Sequence, residues 1–172
     1  MFSKVFSAVF LALALSRPVR VNGHALMTPA LGINGDGARS DVELLQLTPL
    51  TSPGCGGINI AANFDSSTPA VAGPDGSFTV TATNFNCPLD VSRQVTGEVD
   101  PTGTGDSFGG KATVTQNGER APRELGSEET TAQLPAGMQC TGGATDDKCL
   151  VSFRTASGFG NCVVVQQPGA GA

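Results

Sequence analysis

The chain has no tryptophan and no tyrosine, and its one histidine is His24. Each shortage excludes something. Sugar-binding platforms present flat aromatic rings, but only six phenylalanines lie beyond the leading segment, most at core-like positions. Polysaccharide contact therefore gains no support from aromatics. A Ser-His-Asp or Cys-His hydrolase needs an imidazole beside its nucleophile, and only His24, close to the start, carries one. No apolar run approaches the roughly 20 residues of a membrane-spanning helix. No Cys-x-x-Cys pair suggests zinc, and no Asn-x-Ser/Thr acceptor suggests N-glycosylation. Gly103-Thr104-Gly105 and Gly109-Gly110 lack the strand-to-helix context of a phosphate loop. Basic residues are scarce too. Seven lie beyond residue 23 against fifteen acidic ones, a net charge of about −8. Such a chain is a poor nucleic-acid partner, because phosphate contacts supply most of that affinity, and is equally unsuited to anionic membranes.

What is present begins with a targeting pattern. Met1-Phe2-Ser3-Lys4 is a short basic start, Val5 to Leu15 is apolar, and small residues follow. This reads as a secretory signal peptide over residues 1–23, leaving 24–172 as a single domain secreted to the extracellular space. Two cleavage sites fit. One follows Val21-Asn22-Gly23 and releases His24; the other follows Gly23-His24-Ala25 and releases Leu26. The C-terminal Gln166-Gln167-Pro168-Gly169-Ala170-Gly171-Ala172 lacks the hydrophobic tail of a lipid-anchor signal.

Five cysteines follow the signal: Cys55, Cys87, Cys140, Cys149 and Cys162. In a secreted chain most should be oxidised, and an odd count leaves one thiol over. Cys140 and Cys149 bracket the Gly-rich Thr141-Gly142-Gly143-Ala144, which suits a local bridge. Cys55 and Cys162 would then join an early loop to the last strand, with Cys87 free beside Pro88. Spacing alone leaves other connectivities open.

The remaining pattern is short β-branched runs between turn residues. Strands are expected over Ile58 to Phe64, Ser77 to Phe85, Gln94 to Val99, Lys111 to Gln116, Thr130 to Leu134, Leu150 to Thr155 and Cys162 to Gln166. Ser77 to Phe85 alternates cleanly, with Phe78, Val80 and Ala82 on one face and Thr79, Thr81 and Thr83 on the other. Asn117-Gly118 predicts a tight turn. Ser40 to Leu47, with Ser40 and Glu43 at capping-box spacing, predicts the one helical turn. The fold class expected is all-β: an antiparallel, immunoglobulin-like β-sandwich of about seven strands, stapled by disulfides.

The candidate chemistry is narrow. Glu128-Glu129 and Asp146-Asp147 read as solvated turns or strand ends rather than a glycosidase pair. If the mature chain begins at His24, its α-amine and imidazole together chelate a borderline-soft ion such as copper(II). Copper(II) prefers a square of nitrogen and oxygen donors, so carboxylates or water must complete it. Asp41 and Asp65 are the candidates, because both lie in early loops that can return to the N-terminus. If cleavage follows Ala25, His24 is lost and this chemistry with it.

Several segments carry a family resemblance: His24-Ala25-Leu26-Met27, Arg39-Ser40-Asp41-Val42, Gly54-Cys55-Gly56-Gly57-Ile58-Asn59-Ile60, Leu134-Pro135-Ala136-Gly137, Cys149-Leu150-Val151-Ser152-Phe153 and Gly158-Phe159-Gly160-Asn161-Cys162. Together they resemble the secreted Gas-type proteins of fungi, which are similar to appressorium-associated virulence factors of plant pathogens. That likeness implies a fungal protein at the cell surface or host interface. A more distant likeness is to lytic polysaccharide monooxygenases and related fungal copper-acquisition proteins. It implies a β-sandwich and an N-terminal histidine on copper, with Phe159 at most shielding an axial position. Those families use two histidines; this chain has one, and Cys162 is followed by Val163-Val164-Val165 rather than an acid. The likeness therefore carries over a scaffold and His24, and not oxidative cleavage. The chain reads as a secreted, non-catalytic surface or host-interaction factor with an unknown partner. The alternative is a copper-binding protein using His24.

Overall fold

The computed structural model describes residues 25–45, 54–85, 92–167 and 169. Its strands are β1 (Ala25–Thr28), β2 (Glu43–Leu44), β3 (Ala70–Val71), β4 (Ser77–Asn84), β5 (Val95–Asp100), β6 (Gly110–Gln116), β7 (Gly126–Gln133), β8 (Lys148–Thr155) and β9 (Phe159–Gln166), with one short helix, α1 (Ile60–Asn63). The protein is therefore all-β and almost wholly antiparallel, as its short alternating runs require. The strands pair along one unbroken path, β1-β4-β7-β6-β5-β8-β9-β2, and β3 adds to β9 in parallel. The sheet curls on itself.

Alternation explains the core. On β4, Phe78, Val80 and Ala82 are buried while Thr79, Thr81 and Thr83 face outward. Their inward neighbours come from every long strand: Val95 and Val99 on β5, Ala112 on β6, Ala132 on β7, Val151 and Phe153 on β8, Val163 and Val165 on β9. Phe78 and Phe153 meet across the curl with ring centroids 6.3 Å apart and planes tilted by 58°. Strands β8 and β9 are buried on both faces, so they read as continuous apolar runs. Their outer face lies under a second cluster, in which Leu31, Cys55 and Phe64, with Ile58, Ile60 and Phe108, pack on Leu150, Cys162 and Val164. The Cys55–Cys162 disulfide pins that loop layer to β9.

The two limbs of the curl are joined by a side chain. The Met27 N–H donates to Asn161 Oδ1 at 2.7 Å, and Asn161 Nδ2 donates to the Met27 carbonyl at 2.8 Å. One amide thus reproduces the donor and acceptor of a neighbouring strand on the free edge of β1. Both groups are buried, so an unmade bond here carries the full desolvation penalty. The Leu31 N–H, donating to the Cys162 carbonyl at 2.9 Å, continues the seam.

Three sequence expectations are corrected. Ile58 to Phe64 is not a strand: the Asn59 side chain accepts the Ala62 N–H at 3.1 Å and caps α1. Ser40 to Leu47 is not a helical turn with a Ser40–Glu43 box. Asp41 Oδ2 accepts the Ala38 N–H at 2.7 Å, giving a 3-10 turn over Arg39–Asp41, and Glu43–Leu44 pairs with Phe159 and Gly160 instead. Gln46 and Leu47 lie outside the described residues. Asn117-Gly118 closes no two-residue hairpin. The Asn117 amide instead bonds the Val95 N–H and carbonyl, at 2.9 and 2.8 Å, and the chain runs on to β7 at Gly126. Strands β1, β2 and β3 escape sequence reading because they hold two to four residues, too few to show a period.

Replacing Asn161 by alanine should lower the unfolding free energy by about 2–4 kcal/mol, because Met27 loses a donor and an acceptor partner at once. Urea denaturation measures this directly. Asn161→Asp should rescue little, since a carboxylate offers no donor to the Met27 carbonyl.

Candidate functional site

The first described residue, Ala25, opposes Asn84 on β4. This end of the sheet is built around Arg93, which is 6% exposed. Its Nε donates to Asn84 Oδ1 at 2.9 Å, its Nη2 to the Glu124 carbonyl at 2.9 Å, and its Nη1 pairs with Glu128 Oε1 at 3.0 Å. Asn84 Oδ1 also accepts the Gly126 N–H at 3.0 Å. The start of β1 thus pairs with a strand end, Asn84 on β4, that is itself held by β7 and a buried cation. Ala25, Leu26 and Met27 are each fully buried.

The loop after β1 folds back over it. Gly37 has φ +68°, and a Cβ there would collide with the Leu26 side chain, so only glycine fits. Asp41 Oδ2 borders the same position, 3.5 Å from where that Cβ would stand. Of the two acids expected near His24, Asp41 is therefore the one the fold brings towards β1. With Glu43, Leu31, Ile33, Ile58 and Asn161 it lines a groove of about 290 Å³ beside the Cys55–Cys162 bridge. Glu43 is a member sequence reading missed; its side chain lies over Gly56, a contact between segments that no local pattern signals.

Asp65 is elsewhere. Its Oδ1 accepts the Ala144 N–H and the Lys148 ammonium, each at 3.1 Å, and these hold its carboxyl below the ordinary value. Lys148 begins β8 and pairs with Gln166, whereas Asn161, which binds Met27, pairs with Phe153 further along the same strand. Five residues of strand separate Lys148 from Phe153, roughly 16 Å. Asp65 thus stands at the opposite end of the sheet from Ala25, so the two acids do not converge. No three His, Cys, Asp or Glu side chains gather as a metal site among the described residues. His24 and Cys87 lie outside the described residues, as does the targeting segment.

The disulfides are Cys55–Cys162 and Cys140–Cys149. The first closes a separation of 107 residues and the second one of 9. Other motif residues prove architectural. Gly158 turns the chain at φ +86°, and a Cβ on Gly160 would strike the Phe153 backbone. Phe159 is 4% exposed and buried in the core. Asp100, fully buried, organises the loop after β5: it accepts the Thr102 N–H and hydroxyl at 2.8 and 2.6 Å and the Gly105 N–H at 2.7 Å. Burial opposes its ionisation, but these bonds and the Ser107 N–H outweigh it and hold the carboxyl below its ordinary value. Compared with known protein families, with curated proteins and with solved structures, the chain matches none.

These groups carry three testable outcomes. The folded pKa of Asp100 is depressed, so its stabilisation is fully present above the unfolded carboxylate value, about 3.9, and is lost as pH falls through the folded value. Unfolding free energy should therefore drop below about pH 4, and Asp100→Ala should cost about 2–4 kcal/mol at neutral pH while flattening that acid limb in pH-dependent denaturation. Separately, thiol titration of the unfolded, unreduced chain should find one reactive cysteine, Cys87. By loop-closure entropy, opening Cys55–Cys162 should cost about 4–5 kcal/mol and opening Cys140–Cys149 about 2.5 kcal/mol.

Proposed function

We propose that the chain is a secreted fungal protein that acts through surface contacts at a cell wall or host interface, as a binding module rather than a catalyst. The observation that carries this reading is the pair of disulfides closing a small all-β domain, the construction typical of proteins that fold in an oxidising compartment. The signal-like segment before residue 24 agrees with it. Among the described residues, no helix is long and apolar enough to cross a membrane.

One observation favours the copper reading as a second function of the same protein. Cleavage after Ala25 would place a charged α-amine on Leu26, which is fully buried. Burying an uncompensated ammonium costs several kcal/mol, and the Ala25–Asn84 pairing would be lost as well. Cleavage after Gly23 leaves β1 whole and makes His24 the first residue. Its amine and imidazole would supply two nitrogens, with Asp41 the nearer candidate for an oxygen donor. Bound copper(II) would act there as a Lewis acid or redox centre.

Intact mass and N-terminal sequencing of the natively produced protein test both readings. The expected species is extracellular, spans residues 24–172 and carries two disulfides. A chain retaining residues 1–23 in the cell, with all cysteines reduced, would overturn the secreted reading. A start at Leu26 would remove the copper reading alone. With His24 at the start, copper(II) titration should show near-stoichiometric uptake that His24→Ala abolishes.

A further inference from the structure

We propose that the recess between the start of β5, the segment after β6 and the β8–β9 turn binds a small oxyanion, a carboxylate or phosphate carried on a polar molecule. The recess measures about 400 Å³, within the range of small-molecule sites. Arg120 and Arg154 line it together with Ser92, Gln94, Thr96 and Ser157, and no carboxylate does among the described residues. This sets it apart on an acidic chain. The groove beside Cys55–Cys162 carries Asp41 and Glu43, and a third recess, near Cys140, carries Asp146 and Asp147. An anion repelled by most of this surface meets two guanidinium groups here.

Both arginines retain binding capacity. Arg154 Nη2 pairs with Glu98 Oε1 at 2.8 Å, and Glu98 is not among the lining residues. A guanidinium has five N–H donors, so this one bond leaves others for a ligand. Arg120 is exposed and has no ion pair or hydrogen bond with another described residue. Yet the segment bearing it is held in place. Asn117 bonds Val95 through both amide atoms, and the Arg93 N–H donates to the Glu119 carbonyl at 3.0 Å, one residue before Arg120. A held backbone that brings this guanidinium into the same recess as a second one offers an oxyanion two cationic partners. The serine and threonine hydroxyls and the Gln94 amide around it suit the hydroxyl groups of a ligand such as an acidic sugar.

The test uses the full mature chain titrated with sodium phosphate, glucose 6-phosphate, galacturonate and glucose, followed calorimetrically and by backbone amide shifts. The anionic probes should bind, weaken with added salt and move the Thr96 and Ser157 amides; glucose should not bind. Tighter binding of galacturonate or glucose 6-phosphate than of phosphate would identify a sugar acid or sugar phosphate as the ligand type. Equal binding would identify the oxyanion alone. Arg120→Ser should weaken binding about tenfold or more without loss of fold, since the side chain bonds nothing else in the described protein. Arg154→Lys should fall between, keeping the charge and losing the fork. No binding of any anion to the wild-type chain, or wild-type affinity in Arg120→Ser, would overturn the proposal. Either failure leaves the secreted reading and the N-terminus of the mature chain untouched.

Discussion

The curl of this sheet depends on one amide. Asn161 occupies the place of a strand that does not exist, giving Met27 the donor and acceptor that backbone pairing would otherwise supply. Because those groups are buried, the alternative to this bond is not solvent but an unsatisfied pair in the interior. The clamp fixes how far the sheet closes, and so fixes how Phe78 on one limb meets Phe153 on the other. The main core, drawn from all the long strands, follows from that distance.

The second constraint is the layer laid over β8 and β9. Apolar residues on both faces of these strands demand cover, and the loops before and after Cys55 supply it. A loop layer has few backbone bonds of its own, so the Cys55–Cys162 bridge, closing a long separation, does what a ladder would do elsewhere. At the far end Asp100 plays a comparable part for the loop after β5, collecting its N–H groups on one carboxylate. Those bonds favour the charged carboxylate, which ties the loop's stability to pH.

The chain that results is acidic overall, yet two arginines line one recess among the described residues. Charges that serve the fold are paired: Arg93 with Glu128, and Lys148 with Asp65. The charges lining the recess are used only in part by the protein itself. The start of β1 is the other region where the fold does more than its stability needs. It pairs residue 25 with Asn84, whose side chain is held in turn by a buried arginine. Both features lie towards the Ala25 end of the sheet.

By itself the sequence determined the fold class and most of the strands. Alternation at Phe78, Val80 and Ala82, and the apolar runs through Val151 and Val163, are local properties that burial enforces wherever the strands go. The cysteine brackets were likewise legible, since Cys140 and Cys149 lie a few residues apart around glycines. Tertiary structure alone decided the rest. Asn59 became a helix cap and Asn117 a strand clamp because each found a backbone partner that propensity does not encode. Asp41 and Asp65, alike in sequence as early-loop acids, were sent to opposite ends of the sheet by strand register. Arg120 and Arg154 share a recess though 34 positions apart, because the β6–β7 connection is pinned across β5. Local patterns set which residues are buried; only the closed sheet, held by Asn161, sets which of them meet.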